Sequence, residues 1–188
     1  MGRVILVTGG ARSGKSTFAE QLVTGLGREI AYIATARALD AEMEDRIAKH
    51  RLQRPSSWQT FETPTAPSEV VATQGNQVNA LLLDCITVMI TNRILTHTID
   101  WEQPPVARLN EIEADILGEI QALLAAAADS RADLVAVTNE VGYGIVPASP
   151  LSRFFRDCAG RVNQRMAAAA DEVYLVVSGI PVRIKGEA

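Results

Sequence analysis

Short β-branched apolar runs alternate along the chain with longer stretches in which apolar residues recur every three or four positions. Arg3-Val-Ile-Leu-Val-Thr8 is the first run, as expected for a strand covered on both faces. A glycine-rich turn follows, then a helix from about Lys15 to Leu26 with Phe18, Leu22 and Leu26 at fourfold spacing, stopped by Gly27. Ile30-Ala-Tyr-Ile-Ala34 is a second strand. Asp40 can cap a helix running to Arg54, where Pro55 should end it. Trp58 to Glu62 alternates as a strand, and Thr63 to Gln77 is polar with room for a short helix. Val78 to Asp84 reads as a buried strand ending in an acid. Helical segments then cover Cys85 to Thr96 and Pro105 to Ala128. Leu134 to Thr138 is the next strand, and Ser149-Pro150 starts a helix, cap then proline, that reaches about Ala170. Val173 to Ser178 is a last buried strand, with a small one at Pro181 to Ile184. This alternation predicts an α/β fold over residues 1–188: a single domain whose mostly parallel sheet carries helices on both faces. In such folds a ligand binds outside the carboxyl ends of the strands.

Composition narrows the class without naming it. Of 188 residues, 47% are hydrophobic and 21% charged, the balance of a globular protein able to bury a core without disulfides. The net charge of -4 gives no reason to expect a nucleic-acid partner. Cys85 and Cys158 lack metal-ligand spacing and read as buried thiols in a reducing compartment. Met1 to Thr8 is too short for a signal peptide, and no apolar run approaches the roughly 20 residues needed to span a bilayer. The expected location is the cytoplasm.

The glycine turn carries chemistry. Gly9, Gly14, Lys15 and Ser16 match Gly-x4-Gly-Lys-Ser, the loop that wraps backbone N–H groups around nucleotide phosphates and presents a helix N-terminus to them. Its lysine reaches the β- and γ-phosphates, and its serine hydroxyl meets magnesium. The pattern therefore predicts a P-loop domain, phosphate contacts along Gly9, Gly10, Ala11, Arg12, Ser13, Gly14, Lys15, Ser16 and Thr17, and an Mg2+ ion on Ser16. Asp84 ends the strand that best fits the partner acid, which holds the same ion directly or through water; the competing reading is an ordinary helix-cap aspartate.

A second segment is unusual. On the helix expected from Asp40 to Arg54, Leu39, Met43 and Ile47 form a stripe that Arg46, His50 and Arg54 continue, so an apolar face turns cationic toward its end. That fits an arginine-rich lid over a kinase site, a nucleophilic histidine ringed by charge, or a solvated basic face with a bystander histidine. His97 has no charged neighbours in sequence and reads as structural. Glu140, Gly142 and Gly144 form a strand-end loop on the active edge, read either as a plain turn or as a substrate contact.

Taken together these residues resemble the bifunctional adenosylcobinamide kinase / adenosylcobinamide-phosphate guanylyltransferase family. The resemblance rests on Gly9 to Ser16, Tyr32-Ile-Ala-Thr35, His50-Arg51 with Arg54-Pro55 and Trp58, Leu83-Asp-Cys85 with Thr91-Asn92, Asn139-Glu-Val-Gly142 with Gly144-Ile-Val-Pro147, Gly160-Arg-Val-Asn-Gln164 and Val177-Ser-Gly179. It implies phosphorylation of the aminopropanol hydroxyl of adenosylcobinamide by a nucleoside triphosphate, GTP or ATP. Transfer of GMP from GTP follows, through a histidine–GMP intermediate. By position His50 matches the guanylylated histidine. Arg51, Leu52, Gln53, Arg54 and Glu62 match residues near the guanine nucleotide, as do Ala34, Thr35 and Ala36. The resemblance also implies a trimer. Where the family usually carries an aromatic residue this chain has Met89, read as a packing change.

Two other functions compete. One is a small-molecule kinase that uses the P-loop alone with the basic helix as lid. The other is a GTP-dependent switch acting on a partner protein, against which stands the lack of any Asn-Lys-x-Asp guanine-reading motif in the chain.

Overall fold

A computed structural model describes residues 1–38, 41, 44, 45, 48 and 55–186. Seven strands form one sheet: β1 (Val4–Gly9), β2 (Ile30–Ala34), β3 (Gln59–Glu62), β4 (Ala80–Asp84), β5 (Asp133–Val137), β6 (Glu172–Val177) and β7 (Ile180–Lys185). The helices with described boundaries are α1 (Lys15–Leu26), α2 (Pro67–Gln74), α3 (Ile86–Thr96), α4 (Val106–Ala128) and α5 (Pro150–Ala169). Strand order is β3-β2-β4-β5-β1-β6-β7, parallel throughout except for β7, which pairs antiparallel with β6. The expected α/β architecture is therefore present.

Alternation along the strands sends successive side chains to opposite faces. Val4, Leu6, Ala31, Ile33, Leu81, Leu83, Leu134 and Ala136 pack into the larger core with residues of α2, α3, α4 and α5. Ile5, Val7, Tyr32, Leu82, Val135 and Val137 face the other way, onto Ala19 and Val23 of α1. Phe18, Leu22 and Leu26, the residues at fourfold spacing, are only partly buried, while Ala19 and Val23 are fully buried. Met89 is fully buried in the larger core, in keeping with a packing role.

Helix starts follow local chemistry. Ser149 caps α5, its side chain accepting from the Ser152 N–H, with Pro150 in the first turn. The small last strand arises from a two-residue turn in which Ser178 (φ 51°) and Gly179 (φ 81°) are both left-handed, the geometry that matches strand twist in tight hairpins. No helix among the described residues is long and apolar enough to cross a membrane. The helix expected from Asp40 to Arg54 falls mostly outside the described residues, although Ala41, Glu44, Asp45 and Ala48 are helical.

Candidate active site

The carboxyl ends of β1, β2, β3, β4 and β5 open onto one cavity of about 1010 Å3. Its wall brings together Ala11, Arg12, Lys15, Ser16, Ala34, Ala36, Glu62 and Asp84, residues spread over 74 positions of sequence. Gly9, Gly10, Ser13, Gly14, Thr17 and Thr35 lie off that wall. His50, Arg51, Leu52, Gln53 and Arg54 lie outside the described residues.

Between β1 and α1 the backbone makes a compact loop. The Ser13 N–H donates to the Gly10 carbonyl at 3.2 Å, Arg12 sits at φ 57° and Gly14 at φ 92°. Two glycines are required by space. A Cβ on Gly9 would lie 2.5 Å from the Val176 carbonyl oxygen and 2.6 Å from Ser13 Oγ. On Gly14 it would lie 3.0 Å from Gly179 Cα, on top of the left-handed strain. Lys15 is buried, 8% exposed, and its Nζ donates to the Gly10 carbonyl at 3.1 Å. The β6–β7 turn braces the loop from outside: the Gly179 N–H donates to the Ser13 carbonyl at 2.7 Å. Nothing local in sequence links those residues, so this support was legible only as a shared family signature.

Opposite the loop, Asp84 is half-buried at the end of β4, and its Oδ2 accepts from the Tyr32 hydroxyl at 3.2 Å. Thr35 is fully buried beneath it. Its hydroxyl donates to the Cys85 carbonyl and accepts from the Cys85 N–H, both at 2.8 Å, while its own N–H donates to the Asp84 carbonyl at 3.2 Å. Thr35 thus fixes the corner carrying Asp84. Asn92 of α3, 4% exposed, donates through Nδ2 to the Thr35 carbonyl at 2.8 Å and to the Pro64 carbonyl at 3.0 Å. One side chain therefore holds the strand ends of β2 and β3 together.

The other half of the rim is held by a second buried network. Thr87 and Thr138 hydroxyls share a hydrogen bond at 3.3 Å, Thr138 donates to Asn163 Oδ1 at 2.7 Å, and Asn163 Nδ2 donates to the Asn139 carbonyl at 3.0 Å. The Asn139 N–H and Nδ2 both donate to Thr87 Oγ1, at 2.7 and 3.0 Å. Sequence reading missed Thr87 and Thr138, whose spacing carries no pattern; Asn163 lay in the Gly160–Gln164 segment that carried the family resemblance, with no role attached to it. Glu140, weighed as a turn or a substrate contact, lines the cavity beside Asn139 and Val141.

Both thiols are buried and free. Burial, then the charge of Asp84, pushes Cys85 up to about 11, and burial pushes Cys158 up to about 12, so neither is poised as a nucleophile. His97 has a charged partner that its sequence neighbours did not reveal: its Nε2 lies 3.5 Å from Asp115 Oδ2, across on α4. It is not among the residues that line the cavity.

The donor set suits a hard cation. Ser16 offers a hydroxyl and Asp84 a carboxylate on the same wall, the oxygen chemistry magnesium takes when phosphates and water complete its shell.

Comparison with known proteins bears on what this wall does. Residues 5–184 match the family described as cobinamide kinase / cobinamide phosphate guanyltransferase. The chain is 50% identical over 182 residues to the bifunctional adenosylcobalamin biosynthesis protein CobU of Escherichia coli, covering 97% of this chain and 99% of that protein. It is 51% identical over 184 residues to the protein of the same name from Salmonella typhimurium, with the same coverage. Against the bifunctional adenosylcobalamin biosynthesis protein CobP of Pseudomonas aeruginosa identity is 40% over 182 residues, 97% of each chain. The chain therefore belongs to the cobinamide kinase / cobinamide phosphate guanyltransferase family, a family of transferases.

Proposed function

We propose that this protein phosphorylates the aminopropanol hydroxyl of adenosylcobinamide with a nucleoside triphosphate, GTP or ATP, and then transfers GMP from GTP to that phosphate through a guanylylated His50. The observation that carries the reading is the single cavity on which Lys15, Ser16 and Asp84 meet Ala34, Ala36 and Glu62. Ala48, two residues before His50 in sequence, lines it as well.

The residues divide the labour. Loop N–H groups and Lys15 hold the β- and γ-phosphates, placing the transferring group in line with its acceptor. Ser16 and Asp84 would hold Mg2+, which offsets charge on the phosphate oxygens when bound. Ala34, Ala36 and Glu62, with Arg51, Leu52, Gln53 and Arg54, form the guanine-nucleotide side. In the second reaction the His50 imidazole attacks the α-phosphorus of GTP and pyrophosphate leaves. The phosphate of cobinamide phosphate then displaces histidine to give adenosylcobinamide-GDP. Splitting the transfer into two displacements is the usual gain of covalent catalysis. The family resemblance supports assembly as a homotrimer, in the cytoplasm.

Incubation with GTP labelled at the α-phosphate tests the reading. Acid-labile, base-stable label on the protein is expected, lost in His50→Ala while cobinamide phosphorylation persists. Unlabelled wild-type protein that still phosphorylates cobinamide would leave only the kinase.

A further inference from the structure

We propose that the Glu140 carboxylate is the proton acceptor for the cobinamide hydroxyl in the kinase reaction, an inference that rests on the function proposed above. The hydroxyl oxygen forms a bond to the γ-phosphorus, the bond from that phosphorus to the β,γ-bridging oxygen breaks, and the nucleoside diphosphate leaves. The hydroxyl proton passes to Glu140.

Position selects this residue among the cavity's carboxylates. The transferring phosphate is held by the loop that follows β1. Adjacent strands lie about 4.8 Å apart, so Glu62 at the end of β3, four places from β1 in the sheet, is displaced laterally by about 19 Å. Asp84 at the end of β4, two places away, is already engaged: it takes a hydrogen bond from the Tyr32 hydroxyl and is the acid that would hold Mg2+ in the function proposed above. Glu44 lines the cavity from an exposed helical position and not from a strand end. Glu140 follows β5, the immediate neighbour of β1.

Its backbone is tied to the phosphate loop itself. The ladder between β5 and β1 continues past the end of β5. The Thr138 N–H donates to the Val7 carbonyl and the Glu140 N–H donates to the Gly9 carbonyl, both at 3.0 Å. Asn163, 9% exposed, grips the preceding carbonyl of Asn139 at 3.0 Å. The segment bearing Glu140 is thus held level with the start of the loop. The carboxylate is far less committed: Oε1 accepts from the Gly142 N–H at 3.3 Å, which leaves lone pairs of both oxygens for an incoming hydroxyl. A positioned carboxylate that removes a proton in the transition state is worth about 10²–10⁴-fold in rate.

The test measures steady-state phosphorylation of cobinamide across pH by wild type, Glu140→Gln and Glu140→Asp, with nucleotide Kd measured on each. Glu140→Gln should lower kcat by about 10²-fold or more, keep nucleotide Kd within about threefold, and abolish the fall in kcat toward acid that a required carboxylate produces. Glu140→Asp should recover part of the rate. Glu140→Gln with near wild-type kcat, or losing nucleotide affinity in step with kcat, overturns the inference. Wild type that phosphorylates no cobinamide overturns the proposed function along with it.

Discussion

Replacing Asn92 by leucine, a residue of similar size, removes two donated hydrogen bonds while keeping the core filled. The Asn92 amide donates to the carbonyls of Thr35 and Pro64 from a site 4% exposed. Leaving a buried acceptor without its donor costs about 1–3 kcal/mol. Thr35 is fully buried, so its carbonyl belongs at the upper end; Pro64 is half-buried, and water can rescue part of its loss. Burial of the leucine methyls returns some of this, leaving a net destabilisation of about 2–4 kcal/mol. With a urea slope of about 2 kcal/mol per molar, the midpoint falls by about 1–2 M. Fluorescence of the buried Trp58 and the half-buried Trp101 reports the transition. Thr91→Ala is the comparator: it removes a hydroxyl bond to the Thr87 carbonyl from an exposed position one residue away, at a cost of about 0.5 kcal/mol. Because Asn92 joins the ends of β2 and β3, Asn92→Leu should also weaken guanine-nucleotide binding more than Thr91→Ala does. A midpoint shift no larger than that of Thr91→Ala would refute the claim that this amide holds the rim.

Two further outcomes follow from the geometry. Gly14→Ala places a Cβ 3.0 Å from Gly179 Cα at φ 92°, so it should cost about 1–2 kcal/mol and weaken nucleotide binding at least tenfold by displacing the loop; Gly10→Ala, with open space around its Cβ, should leave stability unchanged, and equal stability losses in calorimetry would contradict this. The hydrogen bond from Arg93 holds the Asp115 carboxyl below its usual value against the opposing effect of burial. A lowered carboxylate value means stabilisation that is present above about pH 4 and lost as pH falls through the folded value. Asp115 is 37% exposed, so after screening the contribution is about 0.5–1 kcal/mol. Asp115→Asn should therefore lower the urea midpoint at pH 7 and not at pH 2.5, and an equal loss at both would show that its role is packing alone.

What the sequence displays and what it hides divide along one physical line. β1, the phosphate loop and the cap of α5 are written in residues a few positions apart, so apolar runs, glycine spacing and Ser149-Pro150 reveal them directly. The face of α1 is less secure. Fourfold spacing of Phe18, Leu22 and Leu26 marks a helix, but the fully buried pair is Ala19 and Val23, also four apart and one position further round, and spacing alone does not choose between the two stripes. Contacts between distant segments leave no pattern at all. His97 meets Asp115 only because α3 packs beside α4, and Gly179 reaches Ser13 only because β7 turns back on β6. The same explanation covers the motif residues Thr35, Asn92, Asn139 and Gly179, which carried the family resemblance without a chemical reason. Each makes a hydrogen bond that ties two separate segments at the carboxyl edge of the sheet together: Thr35 to Cys85, Asn92 to Pro64, Asn139 to Thr87 and Gly179 to Ser13. A sheet supplies its own ladder up to the last paired residue, and beyond that point the loops depend on side chains and stray amides from elsewhere in the chain. In the function proposed above, a phosphate loop, a magnesium acid and a proton acceptor act together only if their loops keep a fixed spacing past the end of that ladder. Substitution at these ties should therefore disturb the coupling of nucleotide binding to phosphoryl transfer, and not merely the stability of the fold.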